Sequence, residues 1–175
     1  SNNEENKNIM LGIGIGIPRM SRLALEVGDT YQGGIVFYVS GTGGLISAAS
    51  DQSTSSPWGC ASSEIDGADG TAIGTGAQNT IDIVADCTTA DIAADVCRDL
   101  SLNGFTDWFL PSKDELNQMY IQRATIGNFT TNHYWSSSEN YGFGVNGALF
   151  QNFGNGAQAS TGKGSNKRVR AIRAF

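Results

Sequence analysis

The longest apolar run in this chain, Ile9 to Ile17, covers nine residues and is interrupted by Gly12, Gly14 and Gly16. A membrane-crossing helix needs about 20 apolar residues, so none is expected and every element must be short. Glycine agrees, at 23 of 175 residues, about 13% where roughly 7% is ordinary. Hydrophobic residues at 39% supply a core, and charged residues at 16% are too few for a disordered chain or a coiled coil. The length fits one loop-rich globular domain.

Within Ile9–Ile17 the isoleucines at 9, 13, 15 and 17 share one parity with Leu11, and the glycines take the other. At period two this gives a strand with one greasy and one bare face. Because it precedes Pro18, Arg19 and Arg22, residues 1–24 are expected to form an arm or linker and residues 25–175 the globular domain. An exposed isoleucine row is the kind of apolar patch that marks an interface, so Ile9–Ile17 is expected to pack on a preceding domain or on another subunit, as in a homo-oligomer, a trimer if this is a fibre tip; a module that only assembles a virion or cell surface is the alternative reading. Ser1–Asn8 contains Glu4 and Glu5 where a signal peptide would be basic, which suggests a mature piece or an excised domain.

Charge is unevenly placed. Residues 163–175 carry Lys163, Lys167, Arg168, Arg170 and Arg173 and no acid, within a net charge of −6. That leaves six basic against seventeen acidic side chains, −11, on residues 1–162. Such a body repels phosphate, so nucleic acid is not expected as a partner.

Periodicity gives an α+β order. Tyr31–Val39 and Leu45–Ala49 form a hairpin about Ser40–Gly44, and Ser50–Gly76 is a long loop pinned by Trp58. Asn79–Asp86 and Thr89–Leu100 are helical, the second capped by Thr89. Trp108-Phe-Leu110 is a buried segment ended by Pro111, and Ser112-Lys-Asp-Glu115 is a capping box that opens a third helix. Strands are expected at Tyr134–Ser137, Ala148–Phe153 and Arg168–Phe175, with Trp108, Leu110, Leu116, Trp135, Val169, Ile172 and Phe175 in one core.

Chemistry-bearing motifs are sparse. Gly12–Gly16 has the wrong spacing, and no following helix, for a dinucleotide site. His133 is the sole histidine, so a histidine-rich metal cluster is excluded. Glu64, Asp66 and Asp69 could offer oxygen ligands to calcium but lack the full loop. No cofactor is expected. A glycan hydrolase using Asp66, Asp69 or Glu139 would need two carboxyls about 5–9.5 Å apart, and no motif sets that spacing. Of the three cysteines, Cys97 falls on an apolar helix face with Ala93 and Leu100 and should be a buried thiol. Cys60 and Cys87 are better placed for a disulfide.

In the second half Asp107-Trp-Phe-Leu-Pro-Ser-Lys-Asp-Glu-Leu116, Tyr134-Trp-Ser-Ser-Ser-Glu139 and Arg168-Val-Arg-Ala-Ile-Arg-Ala-Phe175 occur in order. With Val27–Tyr38 and Trp58-Gly-Cys60, they resemble the Lcl C-terminal-domain family over residues 27–175. The resemblance implies a C-type-lectin-like fold: small antiparallel sheets, two or three helices and paired terminal strands. The calcium-sugar motifs of sugar-binding lectins are missing, because the three prolines precede Arg19, Trp58 and Ser112. The late cysteine pair of formylglycine-generating enzymes is missing too, since the last cysteine is Cys97.

The family also includes variable proteins of diversity-generating retroelements, among them phage receptor-binding proteins. In those, a segment between a Trp-Ser-Ser-Ser motif and an Arg-Val-Arg-Ala ending is rewritten at adenine-rich codons. Residues 140–166 hold that position here. The resemblance therefore implies a non-enzymatic binding domain for a protein or glycan receptor, on a phage virion or bacterial surface. Asn140–Gly147 would be a loop displaying Tyr141, Phe143 and Val145, and Asn152–Asn166 a second loop. Phe150 would act as a further anchor, while Asn140, Asn146, Asn152, Asn155, Ser160, Thr161, Ser165 and Asn166 adapt hydrogen bonds, as small polar residues do in paratopes. Rewritten Asn codons cannot yield Lys, Glu, Gln, Trp or Met. Only Gln151, Gln158 and Lys163 are of those types in 140–166, a proportion close to that of the whole chain, so composition alone does not mark the segment.

Overall fold

The computed structural model describes residues 24–140 and 147–175. The expected arm, with its Ile9–Ile17 interface, lies outside them, as do Tyr141, Phe143, Val145 and Asn146. In chain order the elements are β1 (Thr30–Tyr31), β2 (Gly34–Ser40), β3 (Gly43–Ser47), β4 (Ser53–Pro57), α1 (Gly76–Asp86), α2 (Ala93–Arg98), α3 (Lys113–Ile121), α4 (Arg123–Ile126), β5 (His133–Glu139), β6 (Gly147–Asn152), β7 (Gln158–Gly162), β8 (Asn166–Val169) and β9 (Ile172–Ala174). The fold class is α+β, as expected.

Two sheets organise it. One runs β1-β2-β3-β9, antiparallel throughout, so the last strand joins the N-terminal hairpin. The other runs β4-β8-β5-β6-β7, and its β5–β8 contact is parallel, a departure from wholly antiparallel sheets. Arg168–Phe175 is therefore not one strand but two, β8 and β9, in different sheets. The break falls at Arg170 and Ala171, where the Arg170 side chain turns fully inward. Its guanidinium donates to the carbonyls of Ala48 (3.1 Å) and Asn128 (2.8 Å), pairs with Asp51 (2.7 Å) and lies 4.0 Å from the Phe129 ring centre. A guanidinium with five fixed donors can be buried only with such a set of acceptors.

The capping box opens α3 as expected. Glu115 N donates to Ser112 Oγ, and Ser112 N donates to Glu115 Oε2 at 2.7 Å. Glu115 Oε1 accepts from Gly74 N at 2.8 Å, which ties the preceding loop to the helix. A Cβ on Gly76 would stand 2.2 Å from Glu115 Oε2, so only glycine admits this approach. Burial raises the Glu115 pKa despite the amide donors. The second helix starts later than expected, with Ile92 rather than Thr89 at its N-cap. The Ser50–Gly76 loop contains β4, a polar strand that pairs with β8.

The expected single core is two. Trp108, Leu110, Trp135 and Val169 pack with Trp58, Ile83 and Ile92, whereas Leu116 and Ile172 pack with Phe37, Met119, Tyr134 and Phe153. Successive residues of β5, Tyr134 and Trp135, enter different clusters, because side chains alternate across a strand. Phe175 joins neither and stands edge-on to Tyr31 at 5.3 Å. Cys60 and Cys87 form a disulfide and Cys97 is a buried free thiol, both as expected. Burial pushes the Cys97 thiol far above the ordinary cysteine range. Among the described residues no helix is long and apolar enough to cross a membrane.

Candidate functional site

Residues 141–146 lie outside the described residues; between β5 and β6, the Asn140 N–H donates to the Gly147 carbonyl at 3.1 Å. One residue earlier, Glu139 faces inward. Its carboxylate pairs with Lys163, both side chains being essentially fully buried. Glu139 Oε2 also accepts from Ile65 N at 3.0 Å, and Glu139 N donates to the Ala68 carbonyl at 2.7 Å. Lys163 Nζ donates to the Ser63 carbonyl at 2.7 Å and stands 4.8 Å from the Trp58 ring centre. Trp58 completes the knot, its Nε1–H donating to the Ser136 carbonyl at 2.8 Å. A buried ion pair is tolerable only when its remaining donors and acceptors are satisfied; among the described residues no buried side-chain polar atom lacks a partner.

The three serines of β5 have the same inward role. Ser136 Oγ donates to the Leu149 carbonyl (2.9 Å) and Ser138 Oγ to the Gly70 carbonyl (2.7 Å). Ser138 Oγ also accepts from Lys113 N (3.0 Å), and Ser137 Oγ accepts from Asn79 Nδ2 (3.1 Å). Small hydroxyls are the side chains that fit this close approach of β5 to α1, α3 and the 61–72 loop. Nothing local in the sequence distinguishes such serines from surface ones.

The expected binding residues do not form one set. Asn152–Asn166, expected as a loop, contains β7, which pairs with β6. Phe150, Asn152 and Thr161 share a sheet face with His133 and Trp135, by register and alternation. Ser160 is on the opposite face with Gln151 and Gln158. Gln151 is buried, its amide donating to Asn117 Oδ1 (2.8 Å) and the Gly156 carbonyl (3.0 Å), and Gln158 donates to the Lys113 carbonyl (2.9 Å). Asn155 lies in the β6–β7 turn, where its Oδ1 accepts from Ala157 N, and Asn152 Oδ1 accepts from Gly154 N. Ser165 precedes β8 and Asn166 begins it. The side chains of Ser160, Thr161, Ser165 and Asn166 make no hydrogen bond among the described residues.

Phe150 is not a free anchor. Half-buried against the first core, it meets Trp135 edge-on at 6.3 Å and His133 at 4.9 Å. Lys167 Nζ lies 4.0 Å from its ring centre and 4.9 Å from that of Trp135. Partial burial lowers the Lys167 pKa, and burial together with the Lys167 charge lowers that of His133. Sequence reasoning missed both residues as parts of this face, although the surplus of base over acid in the last segment pointed toward it.

Carboxylates elsewhere are dispersed. Glu139 is committed to Lys163, and Glu64, Asp66 and Asp69 lie along an exposed loop. Among the described residues no group of three His, Cys, Asp or Glu is placed to hold a metal ion. An apolar cavity of about 530 Å³ lies between α1 and the 106–109 segment, with Ile81, Val84, Trp108 and Arg98 in its lining. A second cavity of about 440 Å³ is lined by Ser50–Gln52 and residues from Val96 to Leu102. Residues 47–173 match the Lcl C-terminal domain family. No curated protein matches the chain.

Proposed function

The chain belongs to the Lcl C-terminal domain family, and on that premise we propose that it is a non-enzymatic ligand-display domain whose variable surface is the rim formed by residues 140–166. The observation that carries this reading is the division of roles inside that stretch. Gln151, Gln158 and Lys163, the three residues that rewritten Asn codons cannot yield, are each bonded into the framework, and the Asn152 and Asn155 side chains bond only within their own turn. Thr161, Ser165 and Asn166 leave their side chains unengaged. A surface open to rewriting needs this arrangement, with replaceable side chains that contribute no structural bonds above a stem whose bonds do not involve them. The Cys60–Cys87 disulfide supports an oxidising location, since such bonds persist outside the reducing cytosol. We place the domain on a phage particle or bacterial surface, facing a protein or glycan receptor of a target cell, with self-assembly through Ile9–Ile17 to add avidity.

A library diversified at 141–146, Thr161, Ser165 and Asn166, displayed on phage and panned against unrelated proteins, tests this. Retained protease resistance in most clones, together with recovered binders, is the expected result. A library that loses its fold at these positions as readily as one diversified at Gln151, Gln158 and Lys163 would end the proposal.

A further inference from the structure

Residues 140–175 contain five basic side chains and no acid, and the structure accounts for four of the five. Lys163 is paired with Glu139, Arg168 and Arg170 with Asp51, and Arg173 with Asp107. Lys167 remains. Among the described residues it is the only Lys or Arg with neither a carboxylate partner nor a hydrogen-bond acceptor. Its ammonium is nevertheless fixed in place by the Phe150 and Trp135 rings, with His133 beside Phe150. Ring contacts hold the charge in place, and none of its three N–H donors is taken by a protein acceptor among the described residues. A carboxylate is the group that such an ammonium holds most strongly.

We infer that the face formed by Lys167, Phe150 and Trp135 reads an acidic protein segment, in which an Asp or Glu carboxylate docks on Lys167 and a neighbouring apolar side chain covers Phe150. This rests on the display reading above and names the chemistry of its ligand. Small acids and sugars are held in concave pockets, and the two cavities described above are lined by no residue of β5–β8. A cation held over aromatic rings suits a protein partner of opposite charge, where complementarity sets specificity and encounter rate.

The test selects binders from a random 12-residue peptide library on the intact chain, with polygalacturonate as an acidic glycan competitor. Selected peptides should carry Asp or Glu beside an apolar residue and bind at least about tenfold more weakly to Lys167→Gln. Lys167→Arg, which keeps the charge, should retain binding, and both variants should melt like the parent. Neutral or basic peptides, or acidic ones indifferent to Lys167→Gln, would overturn the inference. So would polygalacturonate binding tightly at Lys167 where no peptide does, because the acid would then be a glycan's. Binders that depend on Thr161 and Asn166 but not on Lys167 would sink this inference and leave the display reading standing. Binders indifferent to every rim substitution would sink both.

Discussion

Lys163 and Asn166 are three residues apart, both polar and both in the stretch that the family resemblance marks as variable, yet they belong to different regions of the molecule. Lys163 is fully buried against Glu139 and Trp58. Asn166 is exposed, and its side chain makes no hydrogen bond among the described residues. The contrast recurs along β6 and β7: Gln151 and Gln158 are bonded inward, while Thr161, one strand position from the loop base, is not. What distinguishes the two regions is not polarity but whether a side chain's polar atoms have protein partners. A buried polar group that loses its partner is expensive, whereas an exposed one exchanges protein for water at little cost.

The stem should therefore break first and hardest. Lys163→Met removes the cation and strands a buried carboxylate, with an expected loss of about 3–5 kcal/mol. In a domain of this size each kcal/mol lowers the melting temperature by roughly 2–4 °C, so calorimetry should register a fall of at least about 6 °C. Adding Glu139→Gln removes the stranded charge and keeps an acceptor for the Ile65 amide, so the double variant should recover most of the loss. A double variant no more stable than Lys163→Met alone would mean that the ion pair itself, rather than charge compensation, holds the stem.

Next comes the covalent tie. Cys60 lies at the start of the loop that carries Ser63, Ile65 and Ala68 to the Glu139–Lys163 pair, and Cys87 caps the end of α1. The bridge spans 27 residues, for which the chain-entropy estimate is about 3.5 kcal/mol. Cys60→Ala with Cys87→Ala should destabilise by up to that amount. Amide exchange should then quicken in 61–70 before it does in β5 and β6. Uniform quickening would show that loop and stem open as one unit.

These partners mark how far the sequence could be read. The capping box was legible because Ser112 and Glu115 are three residues apart and follow a proline, and Cys97 because helical spacing put it on an apolar face. Arg170 was not, since its acceptors come from Asp51, Ala48 and Asn128, which the chain order separates by dozens of residues. The alternation of Val169, Ala171 and Ile172 with arginines looked like one strand because nothing local announces a buried guanidinium. β4 was invisible for the opposite reason: Ser-Thr-Ser-Ser-Pro has no apolar alternation, and its pairing with β8 at a sheet edge is what makes it a strand. The candidate rim was legible as a position between two motifs. Its division into bonded and free side chains required the registers of β5, β6 and β7.

A smaller effect, with a sign in pH, separates framework from surface at the other end of the molecule. Arg173 donates two hydrogen bonds of 2.7 Å to Asp107, which hold that carboxyl below the usual carboxylate range. A depressed folded pKa stabilises above the unfolded value of about 3.9 and loses that contribution as pH falls through the folded pKa. Because Asp107 is more than half exposed, the contribution at neutral pH should be under about 1 kcal/mol. Asp107→Asn should thus melt slightly below the parent at pH 7, and the gap should close as pH drops below about 4. A gap that persists unchanged at pH 2 would assign the loss to packing against Phe105 and Gln32 instead.

The least perturbing change in stability should be the most damaging to recognition. Thr161, Ser165 and Asn166 make no side-chain hydrogen bond among the described residues, so replacing all three with alanine removes no protein hydrogen bond there. Surface substitutions of this kind stay within about 0.5 kcal/mol each, and the melting temperature should hardly move. Peptides selected on the parent, however, should lose most of their affinity, because adaptable polar side chains around a half-buried aromatic provide the hydrogen bonds of a paratope. The control is Gln151→Ala in the same strands, one face away, which should weaken the fold through the orphaned Gly156 carbonyl and Asn117 side chain. If the triple variant unfolds, the rim is framework and residues 140–166 are one structural region. If it folds and still binds every selected peptide, the division between bonded and free side chains is real but recognition does not use Thr161, Ser165 or Asn166.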